Sequence, residues 1–342
     1  MADQQKQQMP SERDPYEDYI EPHNTERVGF ADFADLFSNG KNLPPIDTLW
    51  PGFVAGSVGM LTAAGGVGKS MFALQAAADM ASGANLLGLG VKPGKVLMLS
   101  GEDAFETIAP RIVAIGDRLS ISQQERLAAN FKLAFTVGLG LNTSDRVFMR
   151  WLTKLAAGSD LLVLDTISRF HLYDENKNSE MVLFMNALEM VARNCKEISG
   201  VPLSILCLHH SNKSMAMAGR GDEQQSARGA SVLIDNARWA GFISTMTKPE
   251  ANANNIPSDR RGFYCKFGIS KQNYGAPIPE LWYERKAGGM LVPVAMGNNQ
   301  DEAIGCKSLR PSQYEQGEFL SMEPSGIVEV SKRKRKGARN GF

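Results

Sequence analysis

Val58-Gly59-Met60-Leu61-Thr62-Ala63-Ala64-Gly65-Gly66-Val67-Gly68-Lys69-Ser70-Met71 is the stretch that decides how this chain is read. An apolar run, Val58 to Thr62, feeds a glycine-rich turn, and Met71 to Ala81 then continues with apolar residues at helical spacing. Strand, loop and helix in that order are the setting in which such a turn cradles phosphate. Glycines at 65, 66 and 68 let the backbone N–H groups of the turn, that of Val67 included, point inward. The N-terminus of the helix opening at Met71 adds a dipole that favours negative charge. Lys69 is placed to reach the β- and γ-phosphates of ATP, and the Ser70 hydroxyl to ligate Mg²⁺. Ala63 stands where the phosphate-loop pattern normally has glycine, so the match is near rather than complete.

Further apolar runs follow at Val96–Ser100, Leu161–Leu164, Leu203–Leu208 and Gly262–Ser270, and Met181–Ile198 has the pattern of a long helix. Short apolar runs alternating with helical segments predict a doubly wound, mostly parallel α/β sheet covered by helices on both faces. Ligands bind beyond the C-terminal ends of such strands, so the residues that end these runs are the candidates. Leu161-Leu162-Val163-Leu164-Asp165 ends in a carboxylate suited to the Mg²⁺ shell. Thr166 follows it, so the group that activates water lies elsewhere. Val96 to Ser100 ends in Gly101-Glu102-Asp103; Glu102 is the candidate base, with Asp103 as its competitor. Leu203 to Leu208 ends in His209-His210-Ser211, and His210 is a candidate sensor of the γ-phosphate.

Residues 211–230, rich in Gly, Ala, Met and polar side chains, read as a flexible loop. Ser226-Ala227-Arg228-Gly229-Ala230-Ser231 then opens a helix expected over Val232–Trp239. Arg228, and Lys271 just past the run at 262–270, are alternative cations for insertion into a neighbouring subunit's nucleotide site.

Together these segments resemble the RepA-type hexameric replicative helicases of broad-host-range plasmids, which are RecA-like P-loop ATPases. The resemblance runs from about Gly59 to Pro293. Its carriers are 65–71, Gly101-Glu102-Asp103, Val163-Leu164-Asp165-Thr166 with Arg169-Phe170-His171, Leu208-His209-His210, Ser226–Gly229 with Asp235–Trp239, and Ser270–Gly275. It implies a ring of six subunits with ATP between neighbours, moving on single-stranded DNA through the central channel. It also implies a catalytic glutamate at the end of the strand after the phosphate-loop helix, which is where Glu102 falls. Lys213 and Arg220, on the loop after the sensor strand, become candidate DNA phosphate contacts. Arg111 matches a family arginine that lies against the adenine. A replication initiator or primase is a candidate partner.

The 342 residues are 43% hydrophobic and 22% charged, ordinary for a globular chain with a sizeable core. Basic and acidic residues number 37 each, but six of the basic ones and none of the acidic ones fall within 331–342. The remainder is slightly acidic, so contact with DNA must come from a local patch, a ring channel or the tail. Cys195, Cys207, Cys265 and Cys306 lie far apart, without zinc-module spacing, as in a reduced cytoplasmic protein. Neither a secretion signal nor a membrane span is implied. The expected organisation is an acidic, flexible arm over 1–45 with a short docking helix at 30–38, an ATPase core over 46–300, and a basic, disordered tail over 301–342. The alternative to a helicase is a RecA-like loader or assembly switch that hydrolyses ATP without unwinding; a recombinase is third.

Overall fold

The computed structural model describes residues 29–40, 43–210, 230–275 and 277–296. In chain order the helices are α1 (Phe33–Asn39), α2 (Lys69–Ser82), α3 (Phe105–Gly116), α4 (Ile121–Asn130), α5 (Arg146–Ala156), α6 (Asn178–Ser199), α7 (Ala230–Asn236) and α8 (Lys248–Ala253). The strands are β1 (Thr48–Trp50), β2 (Phe53–Val54), β3 (Val58–Ala63), β4 (Val96–Ser100), β5 (Phe131–Phe135), β6 (Leu161–Asp165), β7 (Ser204–His210), β8 (Trp239–Thr245), β9 (Tyr264–Gln272), β10 (Leu281–Arg285) and β11 (Leu291–Val294).

Among the described residues nine strands form one sheet in the order β11-β10-β9-β8-β3-β7-β6-β4-β5. From β8 to β5 every pairing is parallel, and β9, β10 and β11 extend the sheet antiparallel. Alternate residues of the buried strands feed two separate cores. Leu61, Met98, Val163 and Leu208 pack with α2 on one face, while Met60, Leu97, Leu164 and Cys207 pack with α5 and α6 on the other. Strands buried on both sides must be apolar at every position, which is why Leu161 to Leu164 are unbroken leucine and valine. Each such side chain contributes about 1.5–3 kcal/mol on burial. The expected doubly wound sheet with helices on both faces is what forms.

The helix expected over Val232–Trp239 stops at Asn236, and Trp239 opens β8 instead. Trp239 stacks on Phe53 and meets Trp50 edge-on, so tertiary packing takes it into the sheet. Gly59 and Gly241 leave room for its ring: a Cβ at Gly241 would lie 2.6 Å from Trp239. In the N-terminal region α1 forms near the expected place, capped by Asp32, and buries none of its residues.

Candidate functional site

The phosphate loop joins the C-terminal end of β3 to α2. Gly66 and Gly68 adopt φ of +80° and +112°, the left-handed region that glycine enters without steric cost. Gly68 caps α2 with no side-chain hydrogen bond, leaving the helix's first N–H groups for a ligand. Lys69 and Ser70 thus begin the helix facing β6, and Ser70 Oγ donates to Asp165 Oδ1 at 3.1 Å.

Lys69 is 4% exposed, and its Nζ has no hydrogen-bond partner, lying 3.9 Å from Asp165 Oδ1. Burial lowers the ammonium from its ordinary value, against the pull of Asp165 and Glu102. The Asp165 carboxyl is raised by its own burial, with Lys69 and Ser70 opposing. A buried cation with unused donors fits phosphate oxygens. A desolvated carboxylate beside a serine hydroxyl fits a divalent cation that keeps part of its water shell. The residues present therefore suit a nucleotide with Mg²⁺.

The Gly101 N–H donates to Asp165 O at 2.6 Å, locking the ends of β4 and β6 together. A Cβ at Gly101 would come within 2.7 Å of Arg169, so the approach requires glycine. This junction sets Glu102 beside the loop. Glu102 Oε1 accepts from Thr166 Oγ1 at 2.9 Å, and Oε2 lies 3.4 Å from His210 Nε2. Burial pushes the Glu102 carboxyl up, but the hydrogen bonds from Thr166 and His210, with the charges of His210 and Lys69, prevail and hold it below its ordinary value. The side chain is an anion at neutral pH.

A cavity of about 300 Å³ connects these groups. Its walls include Gly66, Gly68 and Met71 of the loop region, with Lys69, Ser70, Glu102 and His210. Gly65 is exposed on the loop and Val67 buried beneath it. Arg111, on α3, lines the same cavity and pairs with Asp103 at 2.8 Å. Asp103 is thereby engaged, whereas Glu102 faces the cavity. The neighbouring imidazole, His209, points to the other face of β7, where burial foremost and nearby positive charge lower its pKa to about 4.

Lys271 lies elsewhere. It pairs with Ala240 near the start of β8, which runs parallel to β3, so it sits at the end of the strands opposite the phosphate loop. Its Nζ donates to the carbonyls of Ile234 and Asp235 at the end of α7. Lys213, Arg220 and Arg228 lie outside the described residues, as does the basic run Lys332–Lys336. Sequence reasoning missed Arg285: from β10 its Nη2 donates to Val67 O at 2.6 Å and Gly66 O at 3.3 Å, and it lines the cavity. No local pattern marks it, because its partners are more than two hundred residues away.

The model of the family AAA_25, described as an AAA domain, matches residues 24–216, over half of the chain. The chain belongs to this AAA family. It is a P-loop ATPase. Solved structures similar to this AAA chain include a KaiC-like protein from the archaeon Pyrococcus horikoshii, 17% identical with a TM-score of 0.47, covering 73% of this chain and 100% of that one. The ATPase domain of G40P is 13% identical with a TM-score of 0.49, at 77% and 97% coverage. The RadB recombinase is 14% identical with a TM-score of 0.45, at 72% and 93%. Among the described residues of this AAA chain, no helix is long and apolar enough to cross a membrane.

Proposed function

We propose that this AAA chain is an ATP-driven DNA helicase of the plasmid RepA type, assembling as a homohexamer and translocating on single-stranded DNA. The observation that carries the reading is the 3.4 Å approach of His210 Nε2 to Glu102 Oε2. His210 ends β7, so the carboxylate that handles water adjoins the start of segment 211–229, which bears the candidate DNA contacts Lys213 and Arg220.

Lys69 and the backbone N–H groups at the start of the phosphate-loop helix bind the phosphates of ATP, and Ser70 and Asp165 are the residues that would hold Mg²⁺. When bound, Mg²⁺ would supply charge neutralisation for the phosphates. Glu102 orients the attacking water and accepts its proton, with Thr166 and His210 fixing the carboxylate. Arg111 flanks the adenine end. Lys271 lies too far along the sheet to serve its own subunit's phosphates, so it or Arg228 acts in the neighbouring subunit's site as the trans cation.

The test is strand displacement on a forked duplex, comparing wild type with Lys69→Ala, alongside assembly mass by sedimentation. ATP-dependent unwinding by a hexamer that vanishes in the variant supports the reading. DNA-stimulated hydrolysis without displacement replaces it with a loader or assembly switch.

A further inference from the structure

The two carbonyls that Arg285 grips belong to the peptide planes Gly66–Val67 and Val67–Gly68. A trans peptide is planar, with its C=O and N–H on opposite sides. A carbonyl drawn toward Arg285 therefore turns the amide at the other edge of its plane the opposite way: the Val67 N–H toward Ala64 O, to which it donates at 3.4 Å, and the Gly68 N–H toward the mouth of the loop. The first plane is thus also held inside the loop by the bond to Ala64, whereas the second, leading into glycine, has little intrinsic preference and takes its restraint from Arg285. The bond to Val67 O, at 2.6 Å, is short and donated by a cation, the stronger kind.

Arg285 stands on a rigid support. Tyr283 Oη donates to Leu87 O at 2.8 Å, and Gln75 of α2 exchanges two hydrogen bonds with the backbone of Leu291, at 2.8 and 3.0 Å. Its neighbours Glu284 and Lys286 pair with each other at 2.6 Å, and Glu284 also pairs with Arg260 at 2.8 Å. Among the described residues no carboxylate pairs with Arg285, so its hydrogen bonding is spent on the loop.

We propose that Arg285 is a positioning residue of the nucleotide site, which aims the amide of Gly68 at the phosphates by holding the carbonyl at the opposite edge of its peptide plane. The proposal rests on the nucleotide reading of the site and adds a residue to it.

Calorimetric titration with MgADP, steady-state ATP hydrolysis and thermal unfolding test it on full-length wild type, Arg285→Ala and Arg285→Lys. Arg285→Ala is expected to weaken MgADP binding by roughly tenfold and to raise KM for ATP similarly. Its kcat should stay within a few-fold of wild type, because loop amides contact phosphate in ground and transition states alike. Arg285→Lys, which keeps a charged donor, should recover most of the affinity. The nucleotide-free melting temperature should move little, while the rise caused by MgADP shrinks. MgADP affinity within twofold of wild type in Arg285→Ala overturns the proposal, as does a fall in kcat at constant KM, which would make Arg285 a transition-state group. If Arg285→Ala does not fold, Arg285→Gln is judged by the same criteria. Wild-type protein that fails to bind MgADP sinks the nucleotide reading itself; wild-type binding beside an indifferent Arg285→Ala sinks this inference alone.

Discussion

Thr166 donates its hydroxyl proton to Glu102 Oε1 across 2.9 Å, joining the residue after Asp165 to the carboxylate at the end of the adjacent strand. The position that has no acid of its own thus supports an acid supplied by β4. Glu102→Gln should lower ATP turnover by roughly 10²–10⁴-fold while nucleotide binding persists, as expected for loss of a general base. Steady-state hydrolysis with parallel calorimetry checks this; turnover within a few-fold of wild type would assign the base elsewhere.

Asp165→Asn keeps the shape beside Ser70 and removes the charge. ATP affinity should drop in the presence of Mg²⁺ and change little in EDTA, because the carboxylate's task is the cation. An equal loss under both conditions would mean that Asp165 acts on the loop through Lys69 rather than on the metal.

His209 is held to a pKa of about 4 by burial, with positive neighbours adding to it, against an ordinary 6.5. A depressed folded-state value means that its contribution to stability is present above pH 6.5 and is lost as pH falls toward 4. The full loss is about 3 kcal/mol. Denaturant unfolding at pH 7, 5.5 and 4.5 should therefore fall less steeply for His209→Gln than for wild type. Identical slopes would contradict the assignment.

Gly241→Ala places a Cβ 2.6 Å from Trp239 and 2.9 Å from Phe267. Overpacking of this kind costs about 1–3 kcal/mol, several degrees in Tm for a chain of this size. A melting temperature equal to that of wild type would show that the aromatic cluster yields without cost.

Much of the site was legible because its signals are local. The loop at 65–70, the apolar run ending in Asp165 and the acids after Ser100 each carry their meaning within a few residues. Trp239 was misplaced for a physical reason: a strand buried on both faces has no alternation, and after α7 its apolar run reads equally well as more helix. Phe131–Phe135 escaped notice as the edge strand, only partly buried. Arg285 was invisible because its role comes from a long-range contact with backbone atoms, which leave no trace in side-chain spacing. The pairing of His210 with Glu102 likewise depends on two strands separated by 108 residues.

The contacts between α2 and the β10–β11 hairpin also set a timetable for synthesis. Gln75 meets Leu291 across 216 residues, and the carbonyls of Gly66 and Val67 wait 219 and 218 residues for Arg285. At roughly 5–20 residues per second, a ribosome needs on the order of ten to forty seconds between making the loop and making its restraint. Throughout that interval the apolar flank of α2 that Tyr283 and Leu291 will cover has no lid. A nascent chain stalled before residue 280 would carry a complete phosphate-loop motif on an unfinished surface, open to chaperones and to aggregation.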